Sequence, residues 1–314
     1  MSKNPVVVVD SFTKVYGDGT KIGPISLNVY EGEVYGLVGP NGSGKTTTLR
    51  AILGLLKPSG GKVSVYGLNP YSHPEKANQK IGYSPEIPNY PPFFTAEKLL
   101  RVTCSMKKIF GKDADNEVRR VLDLTGLVNH ADRKIGNFSK GMVQRLSIGQ
   151  ALVGDPPLLV LDEPMLGVDP VGRAHIRDVL TQLRKQGKTI IFSSHELYEV
   201  QRLSDRVAMV YRGKTVFEDM VVNLLNNSSH TRVVAELAAE PDGKLAKALE
   251  EITGVLKVAI EANRVVIHVD SSVDPREKIA EKIVKLGYGL REFRLSQPSL
   301  EEVFINRVRE SVGG

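Results

Sequence analysis

The sequence predicts an α/β protein with a mostly parallel sheet, followed by a small α+β domain, and three observations carry that expectation. From Val34 onward, apolar runs of strand length alternate with helical patterns, as they do when helices cover a parallel sheet. Between one such strand and one such helix, Gly39-Pro-Asn-Gly-Ser-Gly-Lys45-Thr46 fits G-x-x-x-x-G-K-[ST]. Beyond Asn226-Asn-Ser-Ser229 the order becomes strand, helix, strand, strand, helix, strand, the ferredoxin-like split unit.

Short β-rich runs open the chain: Val6 to Asp10, Ser11 to Tyr16, Ile25 to Tyr30 and Val34 to Val38, parted by Gly-Asp-Gly-Thr and Glu-Gly-Glu turns. They read as an antiparallel edge layer feeding the phosphate-loop strand. Thr47 to Leu53 reads as a helix, then come a hairpin around Lys62 to Tyr66 and a strand at Ile81 to Tyr83. A Pro-rich aromatic stretch, Pro88 to Phe94, precedes an all-helical insertion from Thr95 to about Arg133. Thr95-Ala-Glu-Lys is its capped start, and Leu99, Val102, Met106 and Ile109 fall at helical spacing.

Asn137 to Val153 reads as a turn into a helix, Leu158 to Leu161 as a buried strand and Val171 to Gln186 as an amphipathic helix. Thr189 to Ser193 is a strand, Glu196 to Leu203 a helix and Arg206 to Tyr211 a closing strand. After the linker come strand Thr231 to Leu237, helix Gly243 to Ile252, strands Gly254 to Ile260 and Arg264 to Val269, helix Pro275 to Leu286 and strand Leu290 to Leu295. Gln297 to Phe304 reads as a capped last helix. RNA readers of this topology stack bases on strand aromatics, and Arg264-Val-Val-Ile-His-Val269 has none, which favours a regulatory or dimerising module.

With 314 residues, 41% apolar and 25% charged, the composition is that of an ordinary soluble protein with room for two domains. No apolar stretch approaches the roughly 20 residues that span a bilayer, and the start lacks the apolar region of a secretory signal. A cytoplasmic chain is expected. The single Cys104 excludes an internal disulfide and has no partner for a metal site. A net charge of +6 is modest, its basic residues are scattered, and nucleic acid is not an expected partner.

A phosphate loop needs glycines so that successive N–H groups turn toward oxygens, a lysine for the outer phosphates and a hydroxyl for Mg²⁺. Gly39, Asn41, Gly42, Ser43 and Gly44 with the amides up to Thr46 would cradle phosphates at a helix N-terminus, where Thr47 follows. Lys45 would meet the β- and γ-phosphates and Thr46 would ligate Mg²⁺. Asp162, ending an apolar strand, fits the acidic partner of Mg²⁺, and Glu163 could orient or deprotonate an attacking water. A guanine-specific Asn-Lys-x-Asp run is absent, so the nucleotide is expected to be ATP. Tyr16 could stack on adenine or be a half-buried strand tyrosine. His195, after Ile-Ile-Phe-Ser-Ser, could meet the γ-phosphate or serve structure alone.

From about Val6 to Leu225 these residues, in this order, resemble the nucleotide-binding subunit of an ATP-binding-cassette (ABC) transporter. Phe138-Ser-Lys-Gly-Met142 stands where that family commonly has Leu-Ser-Gly-Gly-Gln, the signature that binds the γ-phosphate across a head-to-tail dimer. Ser139 and Gly141 match, while Lys140 and Met142 depart, in a variant similar to cassettes paired with multidrug, antibiotic or polysaccharide export permeases. Glu86 occupies the place of a glutamine that senses Mg²⁺ and the permease, and would meet the ion through water. Leu166-Gly-Val-Asp169 resembles the dimer-contact loop, with Asp169 carrying the match. The resemblance further implies that Tyr16 stacks on adenine, that His195 is the switch histidine, and that Tyr90, Phe93 and Phe94 lie where a permease coupling helix docks.

The resemblance implies an ATP-hydrolysing motor, a homodimer or a heterodimer with a related cassette, held to the inner face of the cell membrane by a separate integral membrane permease. Residues 1–225 would be the ATPase domain, with a helical subdomain over about 95–137, and 226–314 an accessory domain. The alternative is a non-transport ABC ATPase of translation, DNA repair or cofactor assembly. The first two usually show twin cassettes or a long coiled-coil insertion, which this chain lacks.

Overall fold

A run of four β-branched valines makes β1 (Pro5–Val15) a strand, with Val7, Val9 and Phe12 among its buried residues. The computed structural model describes residues 4–226, 230–270, 273–296 and 299–312. The two runs expected at Val6 to Asp10 and Ser11 to Tyr16 are one strand. Ser11 adopts φ 51°, and the pairing register slips between Val9 and Phe12. β1 pairs antiparallel with β2 (Lys21–Tyr30) and with β4 (Gly60–Val65). The hairpin expected around Lys62 to Tyr66 is therefore a correction: that segment crosses back to the first strand.

A six-stranded sheet forms the centre, in the order β5 (Ile81–Ser84), β6 (Leu158–Leu161), β7 (Thr189–Ser194), β3 (Val34–Val38), β8 (Arg206–Tyr211), β9 (Lys214–Met220). The first five run parallel, and β9 returns antiparallel along β8. β8 does not close the sheet as expected; β9, whose charged residues hid it from pattern reading, is the edge. Every residue of β3, β6 and β7 is buried, as suits strands covered on both faces. Side chains of the antiparallel layer, including Phe12, Ile25 and Leu27, share one core with Leu37, Val160 and Ile191.

α1 (Lys45–Ile52) leaves β3, and the short α2 (Pro74–Asn78), not anticipated, precedes β5. The helical insertion comprises α3 (Ala96–Met106) and α4 (Gly111–Leu124), and Thr95 Oγ1 caps α3 by accepting from Lys98 N at 3.1 Å. Its buried face is Leu99, Leu100, Thr103 and Cys104, whereas Val102 and Met106 are exposed. The expected apolar face was thus rotated, sharing only Leu99 with the real one. α5 (Lys140–Leu152), α6 (Pro170–Lys185) and α7 (Leu197–Leu203) complete the layers. No helix among the described residues is long and apolar enough to cross a membrane.

The chain divides into two compact units, Met1–Met220 and Val221–Gly314. The second begins with α8 (Val221–Asn226); the rest of the expected linker, residues 227–229, lies outside the described residues. β10 (His230–Leu237), α9 (Gly243–Glu250), β11 (Val255–Glu261), β12 (Arg264–Asp270), α10 (Arg276–Lys285) and β13 (Leu290–Ser296) follow, with the sheet ordered β11-β12-β10-β13. Leu245 and Leu249 of α9 with Ile279 and Ile283 of α10 cover Val233, Val265 and Ile267. The last helix, α11, runs Leu300–Val312, later than expected; Gln297 and Pro298 lie outside the described residues.

Glu33, just before β3, accepts from Tyr30 N at 2.8 Å and lies 3.6 Å from Arg206, which also pairs with Glu218 at 3.2 Å. Burial outweighs both the hydrogen bond and the cation, pushing the Glu33 carboxyl from its ordinary 4.5 up to about 7. Because the folded value is the raised one, its contribution to stability is complete below about pH 4.5 and is lost as pH rises through about 7. Glu33→Gln should raise the thermal midpoint relative to wild type at pH 8 and give no gain at pH 4.5. A difference independent of pH would show that this carboxylate is not the titrating group.

Candidate functional site

The carboxyl ends of β3, β5, β6 and β7 lie in register: Val38 beside Ser194, Leu161 beside Phe192, and Ser84 beside Leu161. Open α/β sheets bind ligands at this edge, and here it presents the loop after β3, Glu86, the Asp162-Glu163 pair and His195. In the loop, a Cβ on Gly39 would sit 2.0 Å from Val210 O, so no larger residue fits where the chain leaves the sheet. Gly44 caps α1 at φ 112°, a backbone that L side chains rarely adopt. Lys45 Nζ donates to Gly39 O at 2.7 Å and Pro40 O at 3.3 Å, and lies 3.3 Å from Glu163 Oε1. Lysine and glutamate are both buried, so this ion pair compensates two charges that burial would otherwise penalise. Ser43 Oγ is buried without a hydrogen-bond partner among the described residues, a polar atom left over beside an anion cradle.

Asp162 Oδ1 accepts from Ser193 Oγ at 2.6 Å and from Thr46 Oγ1 at 3.3 Å. Ser193 Oγ in turn accepts from Glu163 N at 2.8 Å. That single hydroxyl fixes both acidic residues, and the sequence reading did not single it out; its signal was a polar residue ending the apolar run Ile190 to Phe192. Glu163 sits at φ 45°, uncommon for a residue with a side chain and worth roughly 1–3 kcal/mol of strain. His195 Nδ1 lies 3.0 Å from Glu163 Oε2 and directs its proton at that carboxylate. Burial first, then the charge of Asp162, raises the Tyr83 phenol above its ordinary value at the same edge.

One cleft of about 480 Å³ brings together Tyr16, Asn41, Gly42, Ser43, Gly44, Lys45, Thr46, Thr47, Glu86, Glu163 and His195, a size usual for small-molecule sites. Thr20, Ile22 and Leu166 also line it, unforeseen. Gly39 and Asp162 are outside the lining but hold Lys45 and Thr46. The Tyr16 hydroxyl is 3.1 Å from Thr47 Oγ1, leaving the half-buried ring at the cleft margin.

The structure does not bring Ser139, Lys140, Gly141 and Met142 to this cleft. Ser139 Oγ caps α5 by accepting from Met142 N at 3.3 Å, and both Ser139 and Lys140 are exposed. Gly141 is buried where an added Cβ would meet Val168 at 3.1 Å and Gly172 at 3.4 Å. Asp169 caps α6 by accepting from Gly172 N at 2.7 Å. Among the three aromatics, Tyr90 turns inward and donates to Gln150 Oε1 at 2.8 Å, and burial pushes its hydroxyl up to about 12. Phe93 is 67% exposed with Phe94 edge-on at 5.2 Å.

Residues 22–166 match the family described as ABC transporter, and residues 223–308 match the family described as ATP-binding protein DrrA1-3-like, C-terminal domain. The chain is 31% identical to the bacitracin transport ATP-binding protein BcrA of Bacillus licheniformis, over 96% of this chain and 97% of that one. It is 36% identical to the Nod factor export ATP-binding protein I of Burkholderia lata, over 76% and 79%. Among solved structures it resembles cbiO1 from Clostridium perfringens, part of the ABC transporter complex cbiONQ, with a TM-score of 0.65 at 26% identity over 71% of this chain and 92% of that one.

Proposed function

Since the chain belongs to the ATP-binding subunits of ABC transporters, we propose that this ATPase drives an export permease as a head-to-tail dimer. Each composite site would join one chain's Lys45, Thr46, Asp162, Glu163 and His195 to the other's Ser139 and Gly141. One observation carries the reading: the cleft gathers Lys45, Thr46, Glu163 and His195, with Asp162 bonded to Thr46 behind its lining, while Ser139, which caps α5, is exposed and outside that cleft. A second molecule is the simplest way to complete the phosphate contacts. Closure then follows from differential affinity, because the full set of contacts exists only in the closed pair.

Lys45 is held by two carbonyls and Glu163. An incoming triphosphate competes for its ammonium and releases Glu163, which stays oriented by His195 and by Ser193 through its backbone amide. The freed carboxylate can then accept a proton from the attacking water. Thr46 Oγ1 and Asp162 Oδ1, 3.3 Å apart, are hard oxygens suited to Mg²⁺. Glu86 would reach that ion through water. When bound, Mg²⁺ neutralises charge on the β- and γ-phosphate oxygens.

Likeness to a Nod factor export protein supports the export direction, and the permease would hold the subunit at the inner face of the membrane. Residues 1–225 would serve as the motor and 226–314 as an accessory regulatory or dimer-stabilising domain. The test is to trap tagged Glu163→Gln protein with ATP and Mg²⁺ in its native cells and identify what co-purifies from gently solubilised membranes. A polytopic membrane protein in stoichiometric amount supports the transport role. Ribosomes, nucleic acid or soluble partners alone would leave the ATPase and overturn the transport role.

A further inference from the structure

We infer that Arg173 is a positioning residue for hydrolysis, tying the strand end that carries His195 to the loop on which the start of α5 rests. This rests on the reading of the cleft as the site of ATP hydrolysis. Arg173 lies in the first turn of α6, and its Nε donates to Val168 O at 2.9 Å. Its Nη1 pairs with Glu196 Oε2. Glu196 is the residue after His195, and its backbone N is itself fixed by Ser194 Oγ at 2.9 Å. On the other side, Val168 lies two residues beyond Leu166, which lines the cleft. Val168 also stands 3.1 Å from where a Gly141 Cβ would be, and Lys140 Nζ lies 2.3 Å from the Cβ position of Gly167. One guanidinium therefore holds both the residue next to the histidine that touches Glu163 and the loop against which Lys140 and Gly141 are placed.

The planar fork of arginine allows this double engagement. Lysine offers a point charge and can keep the Glu196 pair but not the Val168 carbonyl in the same geometry. Arg177, one turn further along α6, supplies the comparison. It pairs with Glu199 at 2.8 Å and likewise joins α6 to α7, yet touches neither the loop nor the neighbour of His195.

Steady-state ATP hydrolysis, ATP affinity and thermal midpoint are measured on the full chain for wild type, Arg173→Ala, Arg173→Lys and Arg177→Gln. Arg173→Ala should lower kcat by about tenfold or more with ATP affinity within about threefold, since misplacing reacting groups by an ångström costs up to ~10²-fold. Arg173→Lys should fall between it and wild type, and Arg177→Gln should lower the midpoint without lowering kcat. The inference is overturned if Arg173→Ala loses stability with kcat intact, or loses kcat and affinity in equal measure. Should the alanine variant fail to fold, Arg173→Lys decides, wild-type kcat overturning the inference and reduced kcat at unchanged affinity supporting it. A wild type without turnover would overturn the reading of the cleft together with the inference; normal turnover in the Arg173 variants overturns the inference alone.

Discussion

Glu163→Gln is expected to lower ATP turnover by roughly 10²–10⁴-fold while ATP still binds, the range spanned by loss of a positioned general base. The substitution keeps the shape of the side chain. Its amide oxygen can still accept from Lys45 or from His195 Nδ1, and the backbone amide remains on Ser193 Oγ. Only the charge and the ability to take a proton are removed. If hydrolysis is what reopens the closed pair, this variant accumulates as a dimer in ATP and Mg²⁺, visible by light scattering beside a phosphate-release assay. A monomer at saturating nucleotide would count against head-to-tail closure, and near-normal phosphate release would remove Glu163 from the chemistry.

Lys45→Ala should fail in two separable ways. Lys45 lines the cleft with its ammonium on the loop carbonyls, and each charge-assisted hydrogen bond to a phosphate oxygen contributes about 1.5–3 kcal/mol, so ATP affinity should drop roughly 10-fold to 100-fold per bond lost. The second effect appears without ligand. Removing one member of a buried pair leaves the other uncompensated, which costs about 3–5 kcal/mol, partly relieved here by His195 at 3.0 Å from the same carboxylate. The thermal midpoint of Lys45→Ala should therefore fall, and adding Glu163→Gln should restore part of it. Unchanged affinity would remove Lys45 from the site. A lowered midpoint that Glu163→Gln fails to restore would mean the pair contributes nothing as a pair.

Phosphate chemistry is legible in sequence because it is local: a cradle of amides, a lysine and a hydroxyl must be neighbours in the chain, and Gly39 to Thr46 states them in order. Ser193 and Arg173 were not legible because a serine ending a strand or an arginine in a helix acquires a role only from what the sheet register sets beside it. The return of β4 to β1 was hidden for the same reason, since the hydrogen bonds that define it link residues far apart in sequence. In α3 two candidate buried faces compete over about two turns, Leu99-Val102-Met106 and Leu99-Leu100-Thr103-Cys104. Periodicity alone cannot choose between them; the neighbouring helices bury the second. The C-terminal topology was readable because β12 alternates cleanly, with Val265, Ile267 and Val269 inward.

Cys104, fully buried on α3, is the chain's single thiol, and burial raises its pKa. Oxidants and alkylating agents act on exposed thiolates, so the folded chain offers them almost nothing to attack. Labelling faster than global unfolding then counts the moments at which α3 lifts from its neighbours. The helical insertion thus contains its own chemical clock for local opening.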